Sequence, residues 1–73
     1  MKDYHINIFY SEPDQGYIAD IPDLPACSAF GDTPAEALAQ LEIARSAWLE
    51  AARSEGRSIP VPRYKPVLYS VQK

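Results

Sequence analysis

Seventy-three residues make one domain near the lower limit of what folds unaided, and 47% apolar residues belong to a globular chain, not a disordered one. One cysteine and one histidine exclude an intrachain disulfide and a Cys/His zinc cage. The net charge of −3, with Lys and Arg scattered and not striped, suits a basic protein partner better than nucleic acid.

Tyr4 to Tyr10 alternates, with Tyr4, Ile6, Ile8 and Tyr10 on one face and His5, Asn7 and Phe9 on the other. This pattern predicts a half-buried strand. Ser11 to Gly16 is a polar turn with Pro13 and Gly16, so a hairpin follows, and Tyr17 to Ile21 is its second strand. Pro22 and Pro25 bound a loop that cannot join a central ladder. Ala26 to Phe30 is a short third strand, which completes an antiparallel meander.

Gly31-Asp32-Thr33-Pro34 forms a strand-to-helix junction. Thr33 is the N-cap, Pro34 takes the first helical position where its missing N–H costs nothing, and Glu36 completes a capping box. The helix runs from Pro34 to about Ser54. Ala37, Leu41, Ala44, Trp48 and Ala52 fall on one stripe, widened by Leu38 and Leu49, and this stripe is expected to pack on the sheet with Trp48 as its largest anchor. Arg53 complements the helix dipole and Gly56 is placed to end the helix in a left-handed conformation. Ile43 points away from the stripe.

Ser58 to Pro62 is extended, because each residue before a proline is pushed out of the helical region. Val67 to Val71 reads as a last strand. Pro66 places it at an edge, where Tyr69 and Val71 share a face and offer an oligomer interface. The order is therefore β-β-β-α-β: an α+β domain over residues 1–73, with an antiparallel sheet and one helix on one face. Residues 1–62 make its core and 63–73 its C-terminal edge strand. So thin a core favours self-association, and a homo-oligomer is expected. The start of the chain has no apolar leader and no apolar run approaches the ~20 residues that span a bilayer, so a cytoplasmic location is expected.

His5 reads as an ordinary strand residue and Cys27 as a core thiol. Asp20, Asp23, Asp32 and Glu36 gather around the loop and the helix start, and carboxylates in pairs can hold Mg²⁺ or act as acid and base. Each also has a structural task in a turn or cap, and no spacing matches a metal motif. No catalytic residue, metal or cofactor is expected. Of the five tyrosines, Tyr4 or Tyr10 suits the core, and Tyr17, Tyr64 and Tyr69 suit interfaces.

The segment Gly16-Tyr17-Ile18-Ala19-Asp20-Ile21-Pro22-Asp23-Leu24-Pro25-Ala26-Cys27, then Gly31-Asp32-Thr33-Pro34-Ala35-Glu36-Ala37-Leu38, then Gly56-Arg57-Ser58-Ile59-Pro60, resembles the HicB-like antitoxin family. The resemblance implies a partial ribonuclease H-like fold with the same element order. It also implies an antitoxin that binds and occludes a small basic, mRNA-cleaving ribonuclease toxin (HicA-like), and assembly into dimers or tetramers. Ala26 stands where the family usually has glycine, a minor change if the position does not need a positive φ. Many members carry a further DNA-binding domain. None is seen before Lys73, so no direct DNA binding is expected of this chain.

The partner surface is expected on the second strand and the loop after it, with Tyr17, Asp20, Asp23 and Leu24 contacting Lys, Arg or His groups of the toxin. Two alternatives stand beside this reading. One is a Mg²⁺-dependent nuclease remnant using Asp20 with Asp32 or Glu36. The other is an oligomeric binding scaffold without a toxin.

Overall fold

Three strands and one helix follow one another in the computed structural model, which describes residues 3–65: β1 (Asn7–Ser11), β2 (Gly16–Asp20), β3 (Ser28–Gly31) and α1 (Pro34–Ser54). The strands form one antiparallel sheet in the order β1-β2-β3, so the protein has the α+β arrangement that the sequence predicts. The predicted final strand, with Pro66, Tyr69 and Val71, lies outside the described residues.

β1 begins later than its alternation predicts, and the cause is its partner. Asn7 pairs with Asp20, the last residue of β2, and Ile21 then turns into the proline loop. Tyr4 and Ile6 keep their predicted side of the chain and pack against the core without ladder bonds. The hairpin closes through Glu12–Gln15, where the Gln15 N–H donates to the Glu12 carbonyl at 3.2 Å.

The core lies between the sheet and α1. Ala19, Ile21, Leu24, Cys27, Ala37 and Leu41 are buried together, with Tyr4, Ile6, Tyr17, Trp48 and Leu49 half-buried around them. On the helix, Ala37, Leu41 and Ala52 are buried, as the stripe predicts, whereas Ile43 is 65% exposed on the far side. Trp48 sits at the rim of this core and is not enclosed by it. Its indole N–H donates to the Pro25 carbonyl at 2.9 Å, and the Arg57 guanidinium lies 5.2 Å from its ring centroid.

The start of α1 crosses the end of β3 without clearance. A Cβ added to Gly31 would lie 2.3 Å from the Ala37 nitrogen, so the close approach requires glycine there. Thr33 caps the helix through its hydroxyl, which accepts the Glu36 N–H at 3.1 Å. The reciprocal bond differs from the predicted capping box. Glu36 Oε1 accepts from Asp32 N–H at 2.9 Å, not from Thr33, because β3 stops at Gly31 and Asp32 N–H is the next donor beyond the ladder. At the other end Gly56 has φ 71°, its N–H donates to Arg53, and Arg57 N–H donates to Ala52 at 2.8 Å. This pair of bonds is a Schellman cap, as Gly56 predicts.

Candidate partner-binding site

The loop between β2 and β3 is built from two turns placed end to end. Leu24 N–H donates to Ile21 C=O and Cys27 N–H to Leu24 C=O, both at 3.1 Å, while Ile21 N–H donates to Cys27 C=O at 3.0 Å and closes the base. In the second turn Pro25 supplies the fixed φ of the first central position, and Ala26 at the next position has φ 63°. A type II turn needs that left-handed conformation and normally fills it with glycine. The alanine is therefore strained, so the substitution at 26 is not the neutral one that a negative φ would allow.

The four predicted contact residues occupy four different environments. Tyr17 is half-buried on the helix side of the sheet, where it packs against the core and meets Tyr10 edge-on at 5.3 Å. Leu24 is 1% exposed and belongs to the core. The Asp23 carboxylate accepts the backbone N–H of Arg63 at 3.1 Å and of Tyr64 at 3.2 Å. It thereby fastens the extended segment after the helix, which the Tyr4 hydroxyl also holds by donating to Pro60 C=O and which His5 meets through the Tyr64 ring at 4.9 Å. Asp20 alone of the four lies on the face of the sheet turned away from the helix; it lines an open groove with Phe9, Ile18, Pro22, Pro25 and Ser28, to which buried Leu24 also contributes.

That face holds what the sequence alone did not show. The register sets Phe9 opposite Ile18 and Ile18 opposite Phe30, so the three side chains form one row across the three strands. Phe9 is 50% and Phe30 42% exposed, although α1 covers the opposite face. The Phe30 ring also lies over Gly16: a Cβ there would be 2.3 Å from its ring edge. A second groove adjoins Phe30 and is lined by Gly31, Asp32, Glu36, Ala39 and Gln40. Among the described residues neither groove is lined by a lysine or an arginine. In the sequence Phe9 shares its side of the strand with His5 and Asn7. Only the alignment of neighbouring strands could have revealed the row.

Cys27 is buried beneath the loop. Burial pushes its thiol above the ordinary value of 9.0; Arg45 opposes this and Asp20 adds to it. Asp20 lies in one groove and Asp32 and Glu36 in the other. Among the described residues no three His, Cys, Asp or Glu side chains gather where they could hold a metal ion. Nor is any helix among them long and apolar enough to cross a membrane.

Residues 4–71 match the family described as HicB-like antitoxin of bacterial toxin-antitoxin system. The chain is 36% identical over 53 residues, 73% of each protein, to a UPF0150 protein of Synechocystis sp.. No solved structure matches it.

Proposed function

The chain belongs to the HicB-like antitoxin family, and from that membership we propose that it binds and neutralises a small basic ribonuclease toxin (HicA-like) by covering its active surface. The observation that carries this reading within the fold is the groove that holds Asp20, which opens on the face turned away from the helix and, among the described residues, has no basic residue in its lining. A carboxylate so placed steers a cationic partner and receives charge-assisted hydrogen bonds from it. Asp23 supports the site at one remove, by bonding the returning segment against the loop. The role is one of binding, without a catalytic step.

Co-expression with a small basic ribonuclease encoded beside it tests this reading. The expected result is a co-purifying complex and relief of growth arrest. Unrelieved toxicity with no complex would overturn it. The nuclease alternative needs Asp20 to act with Asp32 or Glu36, and these carboxylates line separate grooves.

A further inference from the structure

We propose that the sheet face left open by the described residues, centred on Phe9, Ile18 and Phe30, is the surface on which the basic partner docks, and that the docking element presents an apolar centre flanked by cationic side chains. This rests on the antitoxin reading and assigns it a face. The apolar row is continuous across all three strands by register, and its two aromatic members are about half exposed. Monomeric proteins seldom leave large aromatics side by side in solvent, and buried aromatics at an interface centre carry much of its binding energy.

Charge selects the occupant. One groove adjoins Phe9 and Ile18 and holds Asp20; the other adjoins Phe30 and holds Asp32 and Glu36. A second copy of this chain laid on the row would set carboxylates against carboxylates, whichever way its two-fold axis ran, because both flanks are acidic. A basic element meets opposite charge on both flanks. Its apolar centre covers the phenylalanines, while its cations reach Asp20 on one side and the Asp32–Glu36 pair on the other.

The test uses the full chain and a small basic HicA-like ribonuclease, with affinity read by calorimetry and oligomeric state by sedimentation. Phe9→Ser and Phe30→Ser are each expected to weaken the complex roughly tenfold or more. Asp20→Asn should reduce the salt dependence of binding. Ile43→Ser, on the exposed side of α1, should leave affinity unchanged. Both phenylalanines are half exposed, so the variants are expected to stay folded, and circular dichroism checks this. Wild-type affinity in both serine variants overturns the proposal and leaves the antitoxin reading intact. Absence of any wild-type complex overturns both. If the serine variants break a self-assembly and not the toxin complex, the face joins copies of this chain. If removal of residues 66–73 strengthens binding and makes both serine variants bind like the otherwise unchanged truncated chain, those residues cover the face. Either result also overturns the proposal.

Discussion

The carboxylate of Asp23 accepts the backbone N–H of Tyr64, bridging 41 positions of sequence with bonds of 3.2 Å from both of its oxygens. A residue of the loop after β2 thus determines where the chain runs after the helix. Asp23→Ala removes the carboxylate that accepts the Arg63 and Tyr64 amides. Because the site is exposed, the expected cost is about 1 kcal/mol, below the range for bonds to a charged group and typical of an ordinary hydrogen bond. The urea midpoint should fall, and trypsin should cleave after Arg63 several-fold faster. Unchanged proteolysis would show that other contacts suffice to hold the segment.

Ala26 occupies a glycine position with φ 63°. Ala26→Gly is expected to raise stability by about 1 kcal/mol, the left-handed strain relieved less the extra entropy lost on folding. Thermal melts of the two proteins decide it; a lower melting temperature in the glycine variant would count against strain at this turn.

Gly31→Ala introduces a Cβ that would lie 2.3 Å from backbone of α1. Backbone cannot swing aside as a side-chain tip can, so helix and strand must separate. The expected loss is about 1–3 kcal/mol, typical of overpacking. Gly16→Ala meets the Phe30 ring at 2.3 Å, which can rotate away, and backbone only at the Gly31 carbonyl oxygen at 3.0 Å, and should cost less. Equal losses in the two variants would refute the difference between backbone and side-chain contact.

Trp48→Phe keeps a ring at the rim of the core and deletes the donor to Pro25. A loss of about 1 kcal/mol is expected, the value of one hydrogen bond. Amide exchange at Asp23, Leu24 and Ala26 should quicken, because the indole fixes that loop to the helix. Exchange as slow as in the wild type would mean that the two turns hold the loop unaided.

Burial raises the Cys27 thiol above 9.0 in the folded protein, while in the unfolded chain it ionises near its ordinary value. Above that pH the unfolded state has released a proton that the folded state retains, so stability falls as pH rises. The contribution is complete below about pH 9 and is lost as pH climbs towards the folded-state value. Melting temperatures from pH 8 to 10 should therefore decline less steeply in Cys27→Ala than in the wild type. Parallel declines would exclude the thiol as the source.

The helix could be read from the sequence at both ends because its signals are local: Thr33 and Pro34 at the start, Gly56 at the end, each acting within one turn. The antiparallel order β1-β2-β3 followed equally from short connections. What escaped depends on relations between distant or adjacent segments. Phe9 gains meaning only when register sets it beside Ile18 and Phe30. Asp23 could be read as a turn former or a contact residue, but nothing near it in sequence announces Arg63 and Tyr64. The strain at Ala26 was within reach, since Pro25 before it marks the turn whose next position favours glycine.

The bond from Asp23 to Tyr64 also bears on the order in which the chain assembles. The sheet joins strands that are neighbours in sequence and the helix packs mostly on β3, the strand just before it, so these contacts can form early at little cost in loop closure. The Asp23–Tyr64 bond must wait until those elements have brought its ends together. It therefore belongs to the last step of folding and the first of opening. Native-state exchange should resolve residues 58–65 as a cooperative unit that opens and recloses while the three-stranded sheet stays intact.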